Sequence, residues 1–419
     1  MTQTRFPTRA DASGADRPCP ICGGGELDHL HTQRFVLPED HPLGSGYDVV
    51  CCRGCGFVFA STPADQEAYD AFYAKFSKYE DNTTSTGGGA TPWDAERLDG
   101  TAADVARHAP SRTARIVDVG CANGGLLAAF KSRGYENLCG VDPSSACARY
   151  VRDRLGIEAY AGRLAALPAE AGGGDVNVLA HVMEHVRELL PALASVRAAM
   201  NPGAVLYVEV PDAARYRDFL FAPFQDFNTE HINHFSRDSL ANLLRASDLE
   251  PVEQGERMLE TSPGMPYPAV YAVAVRSAAD RPAPAPALTR DETLRPAIDA
   301  YIEGSARLLA AIDAKIRRAL EPPGPILVWG AGQLAMKLLA ETALGQADIA
   351  AFVDGNPIHH GKTIRGVPVL APEQIRTLDH PILITSTLHE REIAGTIAGM
   401  GLSHRVFGLG DESDVRDLT

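Results

Sequence analysis

Apolar positions in this chain cluster into short runs that stop at glycine and resume at helical spacing. Arg115-Ile-Val-Asp-Val119 reads as a buried strand, Gly120 to Gly124 as a turn, and Gly125-Leu-Leu127 as the opening of an apolar-periodic helix. Leu138-Cys-Gly-Val-Asp142 predicts a second strand ending in an acid, and Asp175-Val-Asn-Val-Leu-Ala180 a further one leading into a loop and helix. Ala204 to Pro211 predicts another strand, entered through the Asn201-Pro-Gly203 turn. The pattern returns at Ile326-Leu-Val-Trp329, with a turn at Gly330 and Gly332 and an acid-terminated run at Phe352-Val-Asp354. Ahead of it, Leu308, Leu309, Ile312, Ile316 and Leu320 recur at helical spacing among charged residues. They predict a long helix packed on a neighbouring domain and stopped by Pro322-Pro323-Gly324. The expectation is an α/β protein with two strand-turn-helix domains.

Composition shifts place the boundaries. The Gly/Thr/Ser stretch Asn82 to Pro92 reads as a linker or lid, and Arg281-Pro-Ala-Pro-Ala-Pro-Ala287 as an extended spacer. The polar residues 1–16 are expected to be a disordered tail on a cytoplasmic protein. The expected organisation is then a cysteine module over 17–81, a first α/β domain over 93–277 and a second over 289–419. The 419 residues are 45% apolar and 22% charged, with no apolar run long enough to span a membrane. A net charge of -15 opposes nucleic acid as a partner and favours a small or nucleotide-linked substrate. Oligomeric state is not readable from the sequence.

Five of the eight cysteines fall in close groups. Cys19-Pro-Ile-Cys22 and Cys52-Arg-Gly-Cys55 are two Cys-x2-Cys knuckles followed by glycine, a spacing that suits four thiolates around a tetrahedral Zn2+. Cys51 competes with Cys52, and the x2 spacing with the following Gly56 favours Cys52. Such a closed site is expected to hold the fold together.

In the first glycine unit Asp118 precedes a turn that carries Gly120, Ala122 and Gly124. Asp142 is placed to accept hydrogen bonds from both ribose hydroxyls of a nucleoside, which alone would also suit NAD. Asp118 before the turn points instead to S-adenosylmethionine, whose enzymes use a carboxylate there for the methionine end. The order of elements resembles the class I methyltransferase fold, in which His181 would lie at the strand's carboxyl end near the transferring methyl and Met183-Glu-His185 would open the next helix. His181-Val-Met-Glu-His185 also matches the H-x-x-E-H zinc protease motif. Following a buried strand, its histidines are not expected along one helix, and that reading is rejected.

Phe221 to Ser236 combines four aromatics with Glu230, His231 and His234 immediately before a helix starting near Ser236. An aromatic-lined pocket with a Glu-His pair could abstract a proton, because histidine titrates near neutrality and a carboxylate can orient it.

Taken together, the two knuckles, the Asp-x-Gly-Cys-x-x-Gly turn, His-Val-Met-Glu-His-Val and Glu-His-Ile-Asn-His-Phe-Ser resemble the bacterial C-methyltransferases of deoxysugar biosynthesis, in order through nearly the whole chain. The resemblance implies a zinc-binding N-terminal module, a central class I (Rossmann-like) S-adenosylmethionine domain and a C-terminal Rossmann-like domain that helps hold a nucleotide-linked keto sugar, in antibiotic or related secondary metabolism. It implies His231 as the base, with Glu230, His181 and Tyr79 as further catalytic candidates. The cofactor contacts it implies are Asp118, Gly120, Cys121, Asn123, Gly124, Asp142, Pro143 and His181. Two departures stand out: Asn228 occupies the place of a family tyrosine, and Ser262 to Pro268 replaces its usual Gly-Gly-Ser-Leu-Arg stretch. An O- or N-methyltransferase is the nearest alternative. An NAD-dependent oxidoreductase using the Gly330 turn and a zinc-ribbon RNA methyltransferase stand further off.

Overall fold

The computed structural model describes residues 17–38, 41–75, 87–262, 264–277, 288–402 and 404–410. Tyr79, the expected tail over 1–16, residues 82–86 of the first glycine-rich stretch and the Ala/Pro run 281–287 lie outside the described residues. Two compact units are formed. One takes the described residues of Met1–His31, Tyr47–Ala214 and Ile232–Pro296, the other those of Thr32–Gly46, Arg215–His231 and Ala297–Thr419.

The first unit opens with β1 (Leu27–Arg34, whose end belongs to the second unit), β2 (Gly46–Cys52) and β3 (Val58–Ser61), then α1 (Gln66–Lys75) and α2 (Pro92–Ala106). It continues through β4 (Ile116–Val119), α3 (Gly125–Ser132), β5 (Leu138–Asp142), α4 (Ser145–Tyr150), β6 (Glu158–Ala161), β7 (Gly174–Ala180) and α5 (Leu189–Ala199). β8 (Met200–Pro211), β9 (Asn233–His234), α6 (Arg237–Ala246), β10 (Glu250–Ser262) and β11 (Met265–Val275) complete it. Seven strands form one sheet in the order β10-β11-β8-β7-β4-β5-β6. The five from β8 to β6 are parallel, and β11 enters antiparallel beside β8. Parallel neighbours need crossover connections, and helices supply them, so β4 is buried at every position. Helix α3 turns Leu126, Leu127 and Phe130 into a core with Ile116, Val178, Tyr207 and Val273. A smaller sheet has the order β1-β2-β3-β9. Ser236 caps α6 in a reciprocal box with Ser239, as its position before an apolar run predicts.

The second unit contains nearly all of α7 (Leu294–Ala319), then β12 (Ile326–Trp329), α8 (Gln333–Glu341), β13 (Ile349–Val353), β14 (Thr363–Ile364), β15 (Val367–Leu370), β16 (Ile382–Ile384), α9 (Glu390–Gly399) and β17 (Val406–Phe407). Its sheet runs β14-β15-β13-β12-β16-β17, parallel except for β14. The apolar stripe of α7 packs into the core of its own unit, since Ile312 and Ile316 join Val328, Leu338, Phe352 and Leu383. The expectation that it serves a neighbouring domain is corrected: a parallel sheet needs both faces covered, and α7 covers one. Among the described residues no helix is long and apolar enough to cross a membrane.

Candidate active site

The first glycine turn is shaped by close approaches. Gly120 has φ +86° and its absent Cβ would lie 2.5 Å from Val182 Cγ2, while at Gly124, with φ +76°, it would lie 2.8 Å from Leu155 and Val151. Both positions admit only glycine. Ala122 also stands at positive φ, 45°, a backbone state that costs a residue with a side chain about 1 kcal/mol or more. Its N–H is fixed by Asp142, whose Oδ2 accepts it at 2.8 Å while Oδ1 accepts Ser144 N–H at 2.8 Å. Asp118 is buried within β4, and desolvation together with the Asp142 charge raises it to about 7. Burial, reinforced by the same two carboxylates, pushes the Cys121 thiol up, so it lines the turn without being a nucleophile. Asn123 is buried and Pro143 exposed.

Part of the glycine-rich stretch lies along this turn. Gly87 and Gly89 both donate to Asp94 Oδ2 at 2.8 Å, and Gly125 N–H donates to Gly87 O at 3.2 Å. Asp94 is in turn paired with Arg97.

At the carboxyl end of β7 stands His181, with φ +57°. Its N–H donates to Glu209 O at 2.8 Å, which turns the imidazole between two buried carboxylates. Nδ1 lies 3.3 Å from Glu184 Oε1 and Nε2 3.4 Å from Glu209 Oε1. Burial opposes a charge on His181, but Glu184 and Glu209 outweigh it and raise its pKa to about 9. Glu209 is itself fully buried, which by itself would raise its pKa. The His181 and Arg257 charges and the Tyr207 hydroxyl overcome that and hold it at about 2. Tyr207 Oη and Arg257 Nη1 each donate to Glu209 Oε2 at 2.7 Å. Arg257 reaches on to Thr101 Oγ1 at 2.9 Å and Asp104 at 3.2 Å, so a charged chain runs from His181 to α2.

Met183–His185 does not open a helix, contrary to expectation. It is one 3-10 turn, and α5 begins only at Leu189. The carbonyls that would have propagated a helix are taken from elsewhere. Asn233 Nδ2 donates to Met183 O at 2.8 Å and Val186 O at 2.7 Å, Ile232 N–H to Glu184 O at 2.8 Å, and Arg17 Nη1 to Arg187 O at 2.7 Å. His181 and His185 therefore share no helix face, and the protease geometry is absent.

The Phe221–His231 loop belongs to the second unit. Two of its aromatics are core residues: Phe224 and Phe227 are buried, Phe227 edge-on to Tyr301 at 5.1 Å and Phe224 beneath the Lys337 ammonium at 4.4 Å. Phe224 and Phe227, expected as pocket wall, instead belong to a core that anchors the loop. Tyr301 Oη accepts Asp226 N–H at 2.9 Å, Gln33 Nε2 donates to Phe227 O at 2.6 Å, and Gln333 Nε2 to Thr229 Oγ1 at 2.7 Å. Asn228 Oδ1 accepts the N–H groups of both Glu230 and His231 at 2.8 Å. The Glu230 and His231 side chains are half-buried. His234 in β9 is fully buried and pushed down to about 3 by burial and the Arg17 charge, hence neutral.

Cys19, Cys22, Cys52 and Cys55 converge, their four sulfurs within 4.8 Å of one another. Cys19 and Cys55 Sγ lie 3.6 Å apart, Cys22 and Cys52 Sγ 3.5 Å. Cys51 turns away and donates to Gly56 O at 3.5 Å.

The second glycine turn repeats the wiring of the first. Gly330 N–H donates to Val353 O at 2.7 Å as Gly120 N–H does to Val141 O at 2.7 Å, and Asp354 Oδ2 accepts Ala331 N–H at 2.8 Å. Asp354 additionally takes Asn356 N–H at 2.8 Å and faces His359 Nδ1 at 3.1 Å.

Glu184, Glu209, Arg257, Arg17 and Asn233 were not singled out in the sequence. Glu209 leaves a trace there, a lone acid in the apolar run Ala204 to Pro211. Glu184 and Asn233 stood inside motifs already quoted, without a role of their own, and Arg257 and Arg17 act across long sequence separations that leave no trace.

Residues 93–254 match the family described as methyltransferase domain, and residues 324–407 the one described as C2185-like, N-terminal. With the sheet order and the β4 turn, the first match defines the class: a Rossmann-like class I methyltransferase domain with extra domains around it. The chain carries a methyltransferase domain, and the protein is a methyltransferase enzyme. Solved structures with a similar fold include a methyltransferase of Methanosarcina mazei, at 19% identity over 41% of this chain and 97% of that one, TM-score 0.35. The 1,6-didemethyltoxoflavin N1-methyltransferase of Burkholderia thailandensis matches at 18% identity over 55% and 96%, TM-score 0.38. The magnesium protoporphyrin IX methyltransferase of Synechocystis matches at 16% over 50% and 96%, TM-score 0.36. Likeness at this level carries no argument about the acceptor. No curated protein matches the chain.

Proposed function

We propose that this enzyme methylates a carbon next to a carbonyl on a nucleotide-linked sugar or related small molecule, with His231 as general base. One observation carries the reading. Asn228 fixes the backbone at Glu230 and His231, and the residue after His231 is hydrogen-bonded to Glu184, in the turn that begins at His181. The residue that follows the proposed base in the chain is thereby tied to the turn after β7, at the edge of the methyltransferase sheet where the acceptor is expected.

S-adenosylmethionine supplies an electrophilic methyl on a positive sulfur. The residues around the first turn fit it: Asp142 is an acceptor-only group at the end of β5, held by two backbone N–H groups beside the turn where the vicinal hydroxyls would come. Asp118, Gly120, Cys121, Asn123, Gly124 and Pro143 complete the proposed cradle. His231 takes the proton from the carbon beside the carbonyl and Glu230 orients it. The freed electron pair forms the carbon–carbon bond as the carbon–sulfur bond breaks. His181 stands at the carboxyl end of β7 near the transferring methyl, its two ring nitrogens facing Glu184 and Glu209.

The four cysteines fit a structural zinc ion. Tetrahedral Zn–S bonds of about 2.3 Å separate sulfurs by about 3.8 Å, and two of the sulfur pairs lie at 3.5 and 3.6 Å. O- or N-methylation of another acceptor is the second reading, favoured by Asn228, whose carboxamide braces the loop where a phenol would face the substrate.

Deprotonation can be followed without methyl transfer. With a nucleotide-linked 4-keto sugar and S-adenosylhomocysteine in deuterated water, the wild type should exchange the acidic hydrogen. His231→Ala should bind the demethylated cofactor as before and exchange at least about 10²-fold more slowly. Equal exchange by both proteins would make His231 a packing residue.

A further inference from the structure

We propose that Arg17 is a positioning residue of the active site, reaching from the cysteine module to fix the turn after His181 and the strand after His231. The proposal rests on the reading that those histidines act on the acceptor. Arg17 is 4% exposed, and all its contacts here fall within the first unit. Nε donates to Ala60 O at 3.0 Å, Nη1 to Arg187 O at 2.7 Å, and Nη2 to Ile232 O at 3.2 Å and Asn233 Oδ1 at 2.8 Å. Its guanidinium lies over the Phe59 ring, 5.0 Å from the centroid.

These are four acceptors on three separate segments, and the planar fork of guanidinium donors is the side chain that can serve them together. The Asn233 carboxamide, oriented by Arg17 at its oxygen, turns its nitrogen to Met183 O and Val186 O. Between them, Arg17, Asn233 and Ile232 N–H satisfy the carbonyls of residues 183, 184, 186 and 187. A turn with four of its carbonyls bound by donors from outside depends on those donors for its shape, and His181 stands at its entrance. Ile232 O, shared by Arg17 and Ala60 N–H, is the first carbonyl after His231. Arg17 also precedes Cys19 by two residues, so whatever holds the cysteine cluster holds the clamp.

The test uses the full-length protein with Arg17→Lys, which keeps the charge but offers one nitrogen, and Asn233→Ser, which removes the second half of the clamp. The readouts are the His181 imidazole titration by NMR on 13C-histidine protein, hydrogen exchange of amides 182–187 and 232–234, and S-adenosylhomocysteine affinity. In both variants the His181 titration should move, exchange should quicken at least 10-fold, and affinity should stay within about 3-fold, because Asp142 is untouched. A lowered melting temperature with titration and exchange as in the wild type would overturn the proposal, since general destabilisation does not move a titration within the folded state. If neither variant folds, the wild type decides. A protected, slowly exchanging Arg17 Nε–H supports the clamp, and one that exchanges at the solvent rate overturns it. None of these readouts involves turnover, so failure of His231 as the base would leave them unchanged.

Discussion

Replacing Glu184 by glutamine removes one of the two carboxylates that flank His181 while keeping its shape. The two lie at nearly equal distances, 3.3 and 3.4 Å. At an effective dielectric constant of about 20, a pair of unit charges 3.3 Å apart attracts by about 5 kcal/mol. Burial takes part of this back, and the rise from 6.5 to about 9 corresponds to a net gain of about 3 kcal/mol. Each carboxylate therefore contributes more than half of that net, and its loss should lower the His181 pKa to about 7.5 or below. The sign for stability follows. A folded-state pKa above the unfolded one gives stabilisation that is complete below pH 6.5 and fades as the pH rises through about 9. Glu209, lowered to about 2, stabilises above 4.5 and loses this as the pH falls through about 2. The two values record largely one attraction and are counted once. NMR titration of 13C-labelled histidine, with chemical denaturation at pH 6.5 and 9.5, reads both quantities. The wild type should lose more stability than Glu184→Gln between those pH values. A wild-type His181 that titrates at or below 6.5, or a titration unmoved by Glu184→Gln, would refute the reasoning.

Metal analysis of Cys52→Ser should show zinc lost, whereas Cys51→Ser should retain one equivalent because Cys51 points at Gly56 O. Asp142→Ala should weaken calorimetric binding of S-adenosylhomocysteine by roughly 10- to 100-fold, the worth of one or two charge-assisted hydrogen bonds, and NAD should not compete. Tight NAD binding that depends on Asp142 would reverse the cofactor assignment.

Legibility in the sequence followed the range of the interactions. Strand-glycine-helix units are local, so β4, its turn and the acid ending β5 were all readable from runs of apolar residues and from Gly120 and Gly124. The cysteine spacing was local too, and Cys52 rather than Cys51 joins the cluster. The Met183–His185 turn was misread because the partners of its carbonyls and the two that follow, Asn233, Ile232 and Arg17, lie 47 to 170 residues away and no local pattern announces them. The Phe221–His231 aromatics were misread for the same reason: composition cannot tell a pocket wall from a core, and Tyr301 and Lys337 decide it. Ile312 and Ile316 showed that α7 buries a face, not which sheet receives it.

The second unit is not a contiguous stretch of chain. Two excursions, Thr32–Gly46 and Arg215–His231, leave the first unit to complete it. A gene cut at the Ala/Pro run would yield neither half intact: the upstream fragment would carry Phe224 and Phe227 stripped of Tyr301 and Lys337, and the downstream fragment would lack the Gln33 and Thr229 side chains that Lys337 and Gln333 bind. During synthesis, the segment bearing the proposed base emerges well before its anchors at residues 301 and 333, and it can settle only once they have left the ribosome. Recombination that exchanges such a C-terminal unit between relatives must therefore carry two upstream inserts with it.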